Sequence, residues 1–151
     1  MPVAQFNLAY LKYARDAPEM HSYIEQLDKV MKIALTNPGL IWVHDDNTVD
    51  EVYRVFGSKD NPAANLSTWI SVDSLRRFMI SEMHSEVMTR RDEWFKNCSD
   101  ETFVMWYIPK GYKPTMTEAF ARLKYLKIHG QSEFAFNDLI RYPKEPKSQL
   151  V

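Results

Sequence analysis

Four glycines and a single cysteine in 151 residues exclude several chemistries at the outset. A nucleotide cradle needs a glycine-rich loop, and neither GxGxxG nor the P-loop pattern occurs. HExxH, CxxC and GxSxG are also absent, so no zinc-protease, dithiol or esterase signature is present. Cys98 cannot form an internal disulfide and has no companion at metal-ligand spacing. It reads as a structural thiol in a reducing, cytoplasmic compartment, and no metal site is expected. Charge of one sign is missing too. Nineteen Lys and Arg balance twenty Asp and Glu, for a formal net charge of −1, which provides no field for nucleic acid or an anionic membrane. No apolar run approaches the roughly 18 residues of a membrane span, and the opening MPVAQFNLAYLKYARD holds no signal-peptide core.

What the chain does have is soft and aromatic bulk. Hydrophobic residues make up 45%, aromatics 13%, and there are eight Met. That suits a cavity for an apolar ligand and a plain core equally well. In QFNLAYLKY, Phe6, Leu8 and Tyr10 alternate with Gln5, Asn7 and Ala9, the pattern of a strand. Asp16 is placed to cap a helix with Pro18 and Glu19 in its first turn. Its apolar stripe is Met20, Tyr23, Ile24, Leu27, Val30, Met31 and Ala34, stopped by TNPG. LIWVH is a second strand. Within 48–64, EVYRVF reads as a short strand and SKDNPAA as a loop. NLSTWIS is a strand with Asn65, Ser67 and Trp69 on one face. Ser71 caps the helix VDSLRRFM, a long helix follows over 82–96, and TFVMWYIP is a strong strand. TMTE is a capping box opening a helix to about His129, with Gly130 behind it and a short FAF strand after that.

This order predicts an α+β fold: a ferredoxin-like split βαβ core with an antiparallel sheet and an extra C-terminal helix. One domain is expected over 1–142, with a flexible Pro- and Lys-rich tail over 143–151. With helices on one face, the other face of the sheet would be bare. Burying it against a second copy would form a dimeric α+β barrel, so a homodimer is expected.

The stretch SEMHSEVMTRRDEWF, residues 81–95, divides by helical geometry. At about 100° per residue, His84, Val87, Met88, Arg91 and Phe95 share one side with the preceding Ile80, and Trp94 lies at its edge. Glu82, Glu86, Thr89 and Glu93 collect opposite, and Arg90 stands one turn after Glu86, a solvated pair. His84 on an apolar side is either a satisfied core histidine or a pocket acid or base. Arg91 two turns on is either a partnered charge near the same cavity or a side chain reaching water.

Other residues carry weaker signals. His44, Asp45 and Asp46 are adjacent on a turn, which rarely lets three ligands converge on one ion. His21 reads as solvated, and His129 as a cation at a helix C-terminus. Trp42, Trp69 and Trp106 lie in strands and serve either a core or a ligand wall. Asn65 and Ser67 beside Trp69 are odd on a strand face unless that face sees a cavity. Tyr10 and Tyr107 carry the same ambiguity. No cofactor is expected; a heme stays open, because a lone axial histidine leaves little trace.

NLSTWISVDSLRRF, HSEVMTRRDEWF, VMWYIPKGYKPTMTEAFARLKYLKIHG and FAF together resemble the bacterial and fungal family called domain of unknown function 3291, and AQFNLAYLKY and NPGLIW match as well. The resemblance covers roughly residues 3–137. It implies similarity to the dimeric α+β barrel proteins, which include antibiotic-biosynthesis monooxygenases. These are small proteins with a cavity between sheet and helices, among them cofactor-free oxygenases, cyclases, isomerases, lyases and some heme proteins. Asn65, Trp69, His84, Arg91, Trp94 and Trp106 fall on the family's motifs, whereas Ile80 stands where the family often has Tyr.

The resulting expectation is a cofactor-free enzyme of specialised metabolism acting on an apolar, polyketide- or terpenoid-like molecule by acid–base cyclisation, isomerisation or elimination. His84 would move the proton, and Arg91 or Asn65 would orient a carbonyl or a developing oxyanion. Trp69, Met88, Trp94, Trp106 and Tyr10 would line the cavity. The alternatives are a monooxygenase, cofactor-free or heme-bound, and a non-catalytic binding or dimerisation module.

Overall fold

Alternation in the first strand is realised as β1 (Val3–Tyr10), the centre of a four-stranded sheet. A computed structural model describes residues 1–44, 62–81, 89–97 and 101–146. The other strands are β2 (Leu40–Val43), β3 (Pro62–Trp69) and β4 (Phe103–Tyr107). Their order is β2-β3-β1-β4 and every pairing is antiparallel. The helices are α1 (His21–Leu35), α2 (Val72–Met79), the short α3 (Arg91–Trp94) and α4 (Met116–His129). This is the expected ferredoxin-like core with a C-terminal helix.

Register decides which side chains meet. Val3 faces Trp69, Gln5 faces Ser67 and Asn7 faces Asn65 on one side of the sheet. Phe6 faces Leu66 and Val104, and Ala4 faces Thr68 and Trp106, on the other.

Both sides are covered, which corrects the expectation of a bare face. Ala4, Phe6, Leu8, Leu66, Val104 and Trp106 pack beneath Met116, Ala119, Leu123 and Leu126 of α4. On the opposite side, Val3, Trp69, Met105 and Tyr107 pack with Val72 and Leu75 of α2 and with Phe136. Leu11, Met20, Tyr23, Ala63 and Trp94 form a third cluster at the end of β1. The apolar spacing of α4 supplies a full core stripe, and the sheet's second face buries it.

Local chemistry sets the boundaries. Ser71 Oγ accepts from Ser74 N at 3.1 Å and starts α2, as its position predicts. Thr115 Oγ1 accepts from Glu118 N at 3.1 Å and starts α4. Gly130 ends α4 with φ +76°, a conformation that favours glycine. Asp16 does not cap α1. Pro18 instead opens a 3₁₀ turn over Pro18–Met20, with Ala17 as its N-cap, and α1 follows directly. β3 starts at Pro62, three residues before the expected strand, because Pro62, Ala63 and Ala64 pair with Tyr10, Ala9 and Leu8. EVYRVF lies outside the described residues.

Of the helix expected over 82–96, residues 82–88 lie outside the described residues, Arg90 interrupts the rest as the N-cap of α3 (φ −94°, ψ 3°), and helical geometry ends at Trp94. Phe95 leaves helical geometry at φ −113°, ψ 142° and bridges to Leu11. Lys12 N donates to Trp94 O and Lys96 N to Tyr10 O, both at 2.8 Å. These bonds to the end of β1 compete successfully with one more helical turn. Phe136 of FAF forms only an isolated bridge to Met105. Beyond residue 142 the chain still makes contacts: Tyr107 Oη donates to Pro143 O at 2.7 Å, and the Met1 ammonium pairs with Glu145. Among the described residues, no helix is long and apolar enough to cross a membrane.

Candidate functional site

A cavity of about 100 Å³ lies between the sheet and the pair α1 and α2. A single water needs about 10–15 Å³, so the space is large enough for a small organic molecule. Val30, Met31 and Ala34 of α1, with Leu75, Phe78 and Met79 of α2, form its apolar walls. The helical stripe read from α1 therefore splits along its length. Tyr23, Ile24 and Leu27 join the third core cluster, and the last two turns face the cavity. The sheet forms the floor through Gln5 and Asn7 of β1 and Asn65, Ser67 and Trp69 of β3.

The floor is polar and ordered. Gln5 Nε2 donates to Asn65 Oδ1 and to Ser67 Oγ, each at 2.7 Å. Trp69 Nε1 donates to the same Ser67 Oγ at 2.9 Å. Gln5, Ser67 and Trp69 are buried, whereas Asn65 is exposed and Asn7 half-buried. The cavity thus closes towards Trp69, whose ring packs 5.0 Å from Phe78, and opens towards Asn65. Burying amides and hydroxyls is costly unless they are bonded, and this network bonds them. No side chain of the described lining is an acid or a base at neutral pH.

Asn65 and Trp69, both named from the sequence, come together here. Trp106 and Tyr10 do not line this cavity. Even-numbered positions of β1 and β4 point to the α4 side, where Trp106 is fully buried and Tyr10 packs at the margin of the core. The Trp106 ring lies 5.6 Å beneath the Arg122 guanidinium, and its Nε1 has no hydrogen-bond partner. Burial pulls the Arg122 pKa below its usual value, against the neighbouring Glu118 carboxylate, which raises it. Trp94 is fully buried in the third cluster, 5.5 Å from Tyr23, with Nε1 donating to Ser22 Oγ at 3.0 Å. Burial pushes the Tyr23 phenol up. Arg91 stands half-buried over the Phe95 ring at 5.9 Å and is not part of the cavity lining. His84 and Met88 lie outside the described residues, as does Cys98. Arg90 pairs with Glu93, Nε to Oε2 at 2.7 Å, and that bond holds the exposed carboxylate below its ordinary range. Ile80, where the family often has Tyr, is the exposed C-cap of α2.

Gln5, Asn7, Ser67 and the α2 wall complete the site beyond the residues named as its lining from the sequence. The signal for the first two is the β1 alternation itself: polar residues occupy the side opposite Phe6 and Leu8, at the middle of a central strand. Among the described residues, no group of three or more His, Cys, Asp or Glu could hold a metal ion.

Several solved structures are similar to this chain at low sequence identity. Rv0793 from Mycobacterium tuberculosis is 10% identical, with 75% of this chain and 100% of that one covered at a TM-score of 0.51. SnoaB from Streptomyces nogalater, a cofactor-independent oxygenase, is 14% identical over 76% and 96% at a TM-score of 0.48. A dabb-family protein with a ferredoxin-like fold from Mesorhizobium loti is 14% identical over 74% and 100% at a TM-score of 0.44. A search among curated proteins finds no match. The family model described as Domain of unknown function (DUF3291) matches residues 2–149. With nearly its whole length matched, the chain belongs to the DUF3291 family.

Proposed function

We propose that this protein is a small cofactor-free enzyme that holds a mostly apolar, polyketide- or terpenoid-like molecule between the sheet and helices α1 and α2 and moves a proton on it. The observation that carries the reading is the cavity: apolar on the helix side, with a bonded amide and hydroxyl floor on the sheet side. Such walls reward burial of a hydrocarbon body, and the floor orients one polar group. Since the described lining has no acid or base, proton transfer needs a group from elsewhere. His84, on the segment between α2 and α3, is the candidate, and its ordinary pKa near 6.5 suits either direction of transfer. Cyclisation, isomerisation and elimination all fit one proton carrier and one oriented oxygen.

We also propose that the working unit is a homodimer. Tyr10, Trp42 and Ala64 stay only partly buried at the edge of the α4 core, and a second copy would cover them.

The test is a panel of polyketide- and terpenoid-like ketones incubated with the purified protein, with product formation and oxygen uptake followed together. Turnover without oxygen uptake, lost in His84→Ala while the fold and ligand affinity persist, is the expected result. Unchanged turnover in His84→Ala removes the acid–base role. Oxygen consumption matched to product moves the reaction to a monooxygenase, and a heme absorption band in the purified protein would remove the cofactor-free reading.

A further inference from the structure

We propose that Gln5 is a positioning residue that turns Asn65 and Ser67 into a pair of hydrogen-bond donors, so that the cavity selects a neutral carbonyl compound; this rests on the small-molecule reading above. The argument is a donor count. The Gln5 amide nitrogen has two hydrogens, and both are used, one on Asn65 Oδ1 and one on Ser67 Oγ. Asn65 Oδ1 accepts from Gln5, which fixes the rotation of its amide and leaves the Nδ2 hydrogens for an acceptor. Ser67 Oγ accepts a second bond from Trp69 Nε1, which can only donate. Both lone pairs of the hydroxyl are then occupied, and its proton is left for an acceptor in the cavity.

The register makes this arrangement stiff. Gln5 sits directly across from Ser67 in the middle of the sheet, and Asn65 is its diagonal neighbour on the same strand as Ser67. Gln5 and Ser67 are buried at 7% and 4% exposure, so water competes little for the bond between them. The described lining has no cation. A carboxylate would lose its hydration there with only neutral donors in return. A ketone or quinone oxygen accepts both donors without that cost. Gln5 itself need not touch the ligand; it acts by fixing which atoms of Asn65 and Ser67 do.

The test uses three flat bicyclic probes of similar size, titrated against the full chain by ligand-observed NMR: 1-indanone, indane and indole. One net hydrogen bond corresponds to about five- to tenfold in affinity. The wild type is expected to prefer 1-indanone to indane by that factor. In Gln5→Met the preference falls to within about twofold, because Asn65 and Ser67 are released, while indane still binds. In Gln5→Glu, at a pH where NMR shows the introduced carboxyl to be ionised, the carboxylate can only accept, so Asn65 and Ser67 turn their hydrogens onto it. The ketone preference is then lost and indole, an N–H donor, gains relative to 1-indanone.

Equal binding of 1-indanone and indane to the wild type overturns the inference and leaves the cavity reading standing. So does a ketone preference that survives either substitution. Loss of indane binding together with 1-indanone in a folded Gln5→Met variant assigns Gln5 a purely structural role and also overturns it. If none of the three probes binds the wild type, the small-molecule reading falls and takes this inference with it.

Discussion

Replacing Gly39 with alanine should loosen both the fold and the cavity wall. Gly39 lies in the turn between α1 and β2, where its N donates to Asn37 Oδ1 at 2.8 Å and its O accepts from Ile70 N at 2.9 Å. A Cβ added there would stand 2.7 Å from Ser74 Cβ, 3.1 Å from Ser74 Oγ and 3.2 Å from Asn37 Oδ1. Carbon atoms settle about 3.5–4.0 Å apart, so roughly 1 Å of separation has to be found. Ser74 cannot supply it by changing rotamer, because its Cβ is fixed to the α2 backbone and its N is held by Ser71 Oγ at 3.1 Å. The turn or α2 must move, at a cost of about 1–3 kcal/mol. For a chain of this size each kcal/mol lowers the melting temperature by about 2–4 °C. Urea unfolding of Gly39→Ala should therefore show a lower midpoint at an unchanged slope. Because α2 carries Leu75, Phe78 and Met79 into the cavity, indane affinity should fall as well. Ser74→Gly removes the clashing atom and costs about 0.5 kcal/mol through helix propensity. In the double variant the two losses should not add, and the cycle should return a coupling of about 1 kcal/mol or more. A Gly39→Ala variant within about 0.5 kcal/mol of wild type, or a cycle with no coupling, would refute the steric argument.

Two further outcomes follow from individual bonds. Ser71→Ala leaves Ser74 N without its cap and should cost about 1 kcal/mol, with faster amide exchange confined to the first turn of α2; an unchanged unfolding midpoint would count against the cap. Burial, helped by Tyr142 and Glu145, raises the Tyr107 phenol to about 12. A group raised in the folded state holds its stabilisation below the unfolded value near 10 and loses it as pH climbs towards 12. The full shift would correspond to roughly 3 kcal/mol, and solvent screening reduces the expected loss to about 1 kcal/mol. Tyr107→Phe, lacking the bond to Pro143 O, should flatten that alkaline limb; an identical limb in both proteins would show that another group causes it.

Periodicity and caps made most of the fold legible. The β1 alternation, the α1 stripe, the Ser71 and Thr115 caps and Gly130 are local signals, and each is realised within a residue or two. Of the Thr115 box only the threonine half forms, since the Glu118 carboxylate bonds Tyr112 and Arg122 instead. Apart from Asp16, where the neighbouring Pro18 opens a 3₁₀ turn instead, the failures are places where a distant bond decides. Nothing near Phe95 reveals that Trp94 and Lys96, on either side of it, will exchange hydrogen bonds with Lys12 and Tyr10 and end the helix. Nothing near Pro62 reveals that Tyr10 will pair with it. The bare sheet face was inferred by placing every helix on one side. The α4 sequence gives its own apolar stripe but not which side of the sheet receives it. The site was half legible for the same reason. Asn65, Ser67 and Trp69 share one strand and announce their common face, whereas Gln5 joins them only through the β1–β3 register. Trp106 and Trp69 look alike in sequence, and strand parity in the assembled sheet alone sends them to opposite faces.

The sheet's own buried polar side chains are treated differently on its two faces, and that contrast points to the candidate site independently of any resemblance. On the α4 side, Trp106 Nε1 and Thr68 Oγ1 are buried with no hydrogen-bond partner. There the large apolar surface of Phe6, Leu66, Met116 and Leu123 dominates, and the unpaired atoms are a tolerated cost of packing. On the α1 and α2 side the order is reversed. Gln5, Ser67 and Trp69 spend their polar atoms on one another, and the apolar residues opposite leave a space instead of filling it. A core selected for stability alone would close that space with a larger side chain at Ala34 or an apolar one at Gln5. Ordered polar groups beneath an unfilled apolar vault suit a guest that brings both an oxygen and a hydrocarbon body.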